Sequence, residues 1–336
     1  MDGLFRETVG VLRTVMCEVL DVDHPVALGG MPLVYNSVEL TAAVSGAGGI
    51  GIVGCTYLDP DEITGVASRV RGLTDRPFGL NTLMFLDDED GYEAMLAARP
   101  GLISLSWPRK DQEIGSWVDA AHEVGCKVSF MAAEIEDAVR GAAAGADLIV
   151  VQGTEGGGHV GWMGLSVLLP MVVDAVTPAP VVAAGGVADG RGLVAALAYG
   201  ACGVLLGTRF LATKESGLHP NHKQTIVDSD GHDTVLTEIP DIISGMGWPG
   251  AMSRVKRNRL IERWAGQEWA LRQNLAEVSE EVRKARATGN REEAPLFYGQ
   301  DAGLINDIPS AADIVARIVT QAEDIITSGL PPASSI

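Results

Sequence analysis

The sequence predicts an α/β fold: a TIM (β/α)8 barrel with a helical lobe inserted between strand 8 and the last helix. Three observations predict it. Eight short apolar runs, rich in Val, Ile and Leu and without alternation, read as strands buried on both faces. Stretches with helical spacing separate them, so the sheet is parallel, and eight units favour closure over an open doubly wound sheet. The 336 residues suit about two domains, or one barrel with an insertion. A chain that is 46% hydrophobic and 21% charged buries a large core, which excludes a disordered or coiled-coil chain.

The first 20 residues carry Arg6, Glu7, Arg13 and Glu18 between apolar positions, which predicts an amphipathic helix and not a signal peptide. Apolar runs follow at 25–29 (PVALG), 50–54 (IGIVG), 77–84 (PFGLNTLM) and 102–106 (LISLS). Four more lie at 126–131 (CKVSFM), 147–152 (DLIVVQ), 180–185 (PVVAAG) and 203–207 (GVLLG). Helical spacing marks 36–46, 61–72, 111–124, 134–144 and 189–200. Gly46, Gly48 and Gly51 match G-x-G-x-x-G, but they leave a helix and enter a strand, the reverse of a dinucleotide fingerprint. They read as a helix C-terminal turn.

The rhythm stops beyond 213. Residues 214–300 show no convincing buried strand. They hold a polar loop at 221–237, the segment ISGMGWPGAM, and a long charged helix from about 254 to 287. Leu260, Ile261, Trp264, Trp269, Leu271 and Leu275 give that helix an apolar side. The segment 309–329, opened by Pro309 and closed by Gly329, reads as a last helix. The expected organisation is a barrel over 1–213 completed by helix 309–329, a helical lobe at 214–300, and a tail at 330–336.

With 25 basic against 44 acidic residues the net charge is −19, which repels nucleic acid and anionic lipid. No run of 18 apolar residues predicts a membrane span. One phosphate can still be held by backbone N–H groups. Cys17, Cys55, Cys126 and Cys202 are scattered without a C-x-x-C pair, which predicts a reduced, cytoplasmic setting.

The chemistry gathers where barrel active sites sit, at the C-terminal ends of strands. The seventh run ends in Gly185-Gly186 and the eighth in Gly207-Thr208, the two positions where barrels often bind phosphate. After the sixth run comes Gln152-Gly153-Thr154-Glu155-Gly156-Gly157-Gly158-His159. Consecutive glycines there suit a flat group passing close to the backbone, and His159 can take a proton near pH 7 or stabilise an anion as imidazolium. Asn81, inside the third run, and Gln152 have the donor and acceptor to read the edge of a heterocycle. Gly29, Gly30 and Met31 close the first strand on the same face. Arg209 reads as paired with an acid. His24, His122, His219, His222 and His232 show no metal-ligand spacing, so no metal is expected. No G-x-S-x-G elbow or Walker loop occurs. Trp162, Trp248 and Pro249 read as exposed, belonging to a partner surface or a cover over the site.

Together, HPVALGGM, SGAGGIGIVG, PFGLNTLM, GADLIVVQGTEGGGHVG, PVVAAGGVADGRGLVAALAYGACGVLLGTRFL and YGQDAGLINDIPSA carry a resemblance over residues 24–329. The chain resembles the nitronate monooxygenase family (formerly 2-nitropropane dioxygenases), FMN-dependent TIM-barrel flavoproteins. Flavin-dependent enoyl-acyl-carrier-protein reductases share the barrel and the histidine-glycine loop. The resemblance implies that Gly185, Gly186, Gly207 and Thr208 hold the FMN phosphate. It implies that Gly29, Gly30 and Met31 lie along the isoalloxazine, with Asn81 and Gln152 at its polar edge. Gly157 and Gly158 would line the flavin, His159 would be the base or anion stabiliser, and Tyr298-Gly299-Gln300 would return towards it. Leu28-Gly29-Gly30-Met31 departs from the family's Gln-Ala-Pro-Met, and Met131 stands where some members carry a polar residue.

The implied reaction is oxidation of an alkyl nitronate or nitroalkane by O2 to a carbonyl compound and nitrite. Two other readings stay open: an NAD(P)H-dependent flavin reductase acting on an enoyl thioester or a quinone, and a non-catalytic flavin-binding protein. A homodimer is among the assemblies compatible with an acidic barrel of this kind.

Overall fold

The computed structural model describes residues 12–329. Residues 1–11 of the expected N-terminal helix and the tail 330–336 lie outside them. Helix α1 is Val15–Leu20, and strand β1, Val26–Leu28, begins the barrel. Gly29 and Gly30 separate it from the short β2, Met31–Pro32. Then come α2 (Val38–Gly46), β3 (Gly51–Gly54), α3 (Pro60–Arg71), β4 (Phe78–Leu83), α4 (Glu89–Ala98), β5 (Leu102–Ser106) and α5 (Gly115–Glu123). The order continues with β6 (Lys127–Ala132), α6 (Ile135–Ala143), β7 (Leu148–Gln152), β8 (Gly158–Val160) and α7 (Leu165–Val176). Then follow β9 (Val181–Ala184), α8 (Gly190–Ala198), β10 (Gly203–Leu206) and the short α9 (Thr208–Leu211).

All strands of the main sheet are parallel, in the order β1-β10-β9-β7-β6-β5-β4-β3-β2. The sheet closes where Ala27 bridges Ile50: the Leu28 and Ile50 amides donate to Ile50 O and Val26 O at 2.9 and 3.0 Å. Each of the eight apolar runs is therefore a barrel strand, and each is buried because helices cover the outside. Inside, Ile52, Leu102, Leu148, Val150 and Val182 pack with Met16, Cys17 and Leu20 of α1. Helix α1 thus stops the N-terminal mouth and leaves the C-terminal mouth to bind a ligand. At the G-x-G-x-x-G match, Gly48 turns the chain out of α2 with φ +87°, a left-handed geometry that glycine adopts without strain.

Residues 214–300 differ from expectation in two ways. Two strands are present, β11 (Thr234–Thr237) and β12 (Met252–Lys256), with α10 (Pro220–Val227) before them and α11 (Ile239–Ser244) between. They pair antiparallel, and β12 pairs in turn with β8, placing Ser253 opposite His159. These strands are four and five residues long, and Arg254 and Lys256 interrupt any apolar pattern.

The long helix is also broken into α12 (Arg259–Trp264), α13 (Glu268–Gln273) and α14 (Leu275–Thr288). Gly266 at φ +77° ends the first, and the Asn274 amide bonds back to Ala270 O at 2.9 Å at the second break. Leu260, Ile261 and Leu271 are buried as the apolar side requires, but Trp269 is 67% exposed. The last helix, α15 (Ala311–Ser328), packs against α8 and α2, the place of the eighth outer helix. Its start is fixed by a capping box in which Ser310 Oγ accepts from the Asp313 amide and Asp313 accepts from Ser310 N–H.

Candidate active site

The C-terminal ends of the barrel strands surround a cavity of about 560 Å³, and every residue singled out for the site borders it. Its walls divide by chemistry.

At one end the chain leaves β9 and β10. Gly185 and Gly186 have φ of +88° and +73°, and a side chain on Gly185 would sit 2.8 Å from Gly153 O. Among the described residues, the amides of Gly185, Gly186, Gly207 and Thr208 donate to no protein group. Four free N–H groups around one space suit an anion. Thr208 Oγ1 accepts from the Gly299 amide at 2.9 Å, which ties the 298–300 turn to this end. Asp301 lies beside it, 6% exposed, with a buried Oδ1 that has no hydrogen-bond partner among the described residues. Burial pushes its carboxyl up to about 7, against the Thr208 hydroxyl and the charge of Arg209.

The middle of the cavity is narrower in chemistry. Asn81 is buried, and its Nδ2 donates to Ser104 O and Ser106 Oγ, both at 2.9 Å. Its donors are thus taken by the protein, and the structure corrects the expectation of a paired donor and acceptor: only Oδ1 is left without a partner among the described residues. Gln152 Oε1 is buried and equally without one. A Cβ on Gly30 would lie 2.5 Å from Asn81 Cβ, so Gly30 is small because Asn81 fills its side. Gly29 and Met31 continue the wall, and Met131 faces the same space.

The glycine loop has a different cause from the one expected. A Cβ on Gly157 would fall 2.5 Å from the Tyr298 carbonyl carbon and 2.6 Å from Gly299 N. This position is small because the protein's own chain crosses it. Gly158 has φ +78° with open space beyond, so backbone conformation selects glycine there.

His159 stands next, on β8. Its Nε2 lies 2.7 Å from Asp241 Oδ1 and 3.0 Å from Ser253 Oγ, and Ser253 Oγ donates to Asp241 Oδ2 at 3.1 Å. A carboxylate at Nε2 selects the tautomer with its proton there, which leaves Nδ1 as the acceptor, unpaired among the described residues. Trp248 stacks on the imidazole, with centroids 3.4 Å apart and planes at 11°, and is itself packed on Phe85 and Trp107. Trp248 and the adjoining Pro249 are half-buried, while Trp162 is 70% exposed and borders no part of the cavity.

Asp241 and Ser253 were not legible in the sequence. They stand 82 and 94 residues from His159, in segments whose pairing with β8 carries no local signal. Asp301 stands in the stretch YGQDAGLINDIPSA with no local pattern that singles it out. Arg286 of α14 also borders the cavity, the one Lys or Arg among its described lining residues, and it forms no ion pair among the described residues. Its charge reaches Tyr35 and Tyr57. Arg209 is 8% exposed at its side chain and bonds Asp307 Oδ1 at 3.1 Å, as a structural pair. The His219 and His222 rings lie tilted with centroids 5.8 Å apart, and no metal-holding group of three or more His, Cys, Asp or Glu occurs among the described residues.

The family model described as nitronate monooxygenase matches residues 13–100 and 93–321. The chain is 34% identical to a Mycobacterium tuberculosis protein named (3aS,4S,5R,7aS)-5-hydroxy-7a-methyl-1-oxo-octahydro-1H-indene-4-carboxyl-CoA dehydrogenase, over 93% of this chain and 96% of the relative. Among solved structures, FabK from Thermotoga maritima superposes with a TM-score of 0.83 at 32% identity, covering 94% of this chain and 98% of that one. Nitroalkane oxidase from Streptomyces ansochromogenes gives 0.80 at 27% identity, covering 94% and 99%.

Proposed function

The chain belongs to the nitronate monooxygenase family, whose members are oxidoreductases acting on small molecules with a flavin, and on that footing we propose that it oxidises alkyl nitronates with O2, using FMN, to a carbonyl compound and nitrite. The observation that carries the reading is His159, which borders the cavity, is held at Nε2 by Asp241, is stacked on Trp248, and has Nδ1 unpaired among the described residues.

The residues fit FMN. Free amides of Gly185, Gly186, Gly207 and Thr208 would hold the phosphate. Gly29, Gly30, Met31, Gly157 and Gly158 would border the ring, with Asn81 Oδ1 and the orphaned Gln152 Oε1 accepting from its polar edge. FMN supplies the electron-accepting ring. Everything else is the protein's. His159 Nδ1 takes the acidic proton of a nitroalkane, and Asp241 stabilises the imidazolium that results. The same imidazolium holds a nitronate oxygen. Trp248 and Phe297 exclude water from that face. In this reading the barrel 1–213 binds the cofactor, and residues 214–300 supply Asp241, Trp248, Ser253 and Arg286 as its cover. Four free cysteines support a reducing, cytoplasmic setting. Nitrite release from propionate 3-nitronate or 2-nitropropane tests the activity; no release from FMN-loaded protein overturns it.

A second reading is hydride exchange between NAD(P)H and an acyl or enoyl thioester. Arg286, without an acidic partner at the cavity, favours it, because such a cation suits a phosphate-bearing substrate. The carboxyl-CoA dehydrogenase relative supports it too. Rapid bleaching of the flavin on anaerobic mixing with NADH decides for this reading, and an unchanged flavin band decides for the first.

A further inference from the structure

We propose that Asp301 binds the cofactor's phosphate as a neutral carboxylic acid, donating its proton to a phosphate oxygen, so that cofactor binding takes up one proton from solvent. The proposal rests on the FMN reading above. It begins with an oxygen that has no partner. Asp301 borders the cavity together with Gly207 and Thr208, and its Oδ1 is buried and makes no hydrogen bond among the described residues. A buried polar atom without a partner is costly, so its persistence beside the free amides points to a ligand there.

The amides select an anion. An ionised carboxylate would repel that anion at close range and can only accept, whereas a protonated carboxyl donates. The geometry and the ligand are compatible in the neutral state alone. Burial already brings Asp301 to about 7, and a phosphate dianion adjacent to it drives protonation further.

The surrounding charges do not undo this. Arg209 on α9 faces Asp301 but is bound to Asp307 Oδ1 and to the carbonyls of Ala212 and Asp307. Glu155 lies on the glycine loop, whose carbonyl at that residue accepts from the Gln300 amide, and Tyr298 of the turn itself donates to Asp233. The 229–233 loop adds Asp230, His232 and Asp233, with Asp233 held by Lys256. Helix α10 adds His222, kept neutral by burial at about 4, and Lys223, which donates to Lys214 O.

The sign follows from linkage. Below about 7 the free protein already carries the proton. Above it, each binding event must recruit one, so FMN affinity falls by up to about tenfold per pH unit. A phosphate monoester's second ionisation, near 6, is complete over this range.

The test is fluorescence titration of the deflavinated full chain with FMN and with riboflavin from pH 7 to 9. The expected result is a rise of about ten- to a hundredfold in Kd for FMN and a flat Kd for riboflavin, with proton uptake in weak buffer. Asp301→Asn donates without titrating, and it should bind FMN with a pH-independent Kd. A flat Kd for FMN in the wild type overturns the proposal, and that arm needs no variant. Equal loss of FMN and riboflavin in Asp301→Asn also overturns it, because Asp301 then serves a part common to both flavins. Failure of the wild type to bind either flavin at any pH overturns the FMN reading itself, and this proposal with it.

Discussion

His159 is set by its two neighbours more than by its own position in the chain. Asp241 fixes the tautomer and Trp248 fixes the plane. His159→Ala should therefore lower kcat about 10²- to 10⁴-fold in protein that retains its flavin. Asp241→Asn keeps a polar contact but removes the charge that stabilises the imidazolium. A charge-assisted hydrogen bond of about 1.5–3 kcal/mol lost from the transition state gives about a 10- to 100-fold drop in kcat. Steady-state nitrite release measures both, and a wild-type rate in either variant contradicts the assigned roles. His159 itself was legible because a histidine after three glycines at a strand end is an unusual local pattern. Asp241 was not, because only the pairing of β12 with β8 brings α11 over the barrel.

Two elements decide whether that arrangement persists. The 298–300 turn crosses the glycine loop at Gly157, where no Cβ fits. Gly157→Ala should cost about 1–3 kcal/mol from overpacking, seen as a lower Tm, and should weaken flavin binding in the same preparation. An unchanged Tm contradicts the crossing. Helix α10 carries the buried His222, whose Nε2 has no hydrogen-bond partner among the described residues and whose folded value, lowered by burial to about 4, lies below the ordinary 6.5. The unfolded state binds more protons between those values, so this group withdraws stability as pH falls from 6.5 to 4. His222→Leu should flatten the urea midpoint across that window relative to wild type. The elements least visible in the sequence are those of this lobe. Strands of four and five residues with charged members have no period to read, and Gly266 and Asn274 break a helix that composition alone makes continuous.

At the scale of the molecule, the barrel was legible because its strands are buried on both faces and repeat. The end of the cavity lined by free amides was legible because Gly185-Gly186 and Gly207-Thr208 mark the exits of β9 and β10. Closure over the site was not, since it depends on contacts across the whole chain. The acidic surface adds one consequence. With a net charge of −19, long-range repulsion slows the approach of anionic substrates, although Arg286, unpaired among the described residues, borders the cavity. Screening by salt should raise kcat/KM for propionate 3-nitronate between low ionic strength and about 0.15 M, where the Debye length is about 8 Å. The value for neutral 2-nitropropane should stay level, and equal responses contradict the electrostatic account.

The central claim is that a flavin lies in the barrel mouth against His159. Its most direct test is the visible spectrum of the FMN-reconstituted protein during anaerobic mixing with propionate 3-nitronate. The account predicts a flavin band that bleaches rapidly in the wild type and far more slowly in His159→Ala. A protein that stays colourless after reconstitution, or a band that bleaches equally fast in both, would contradict it.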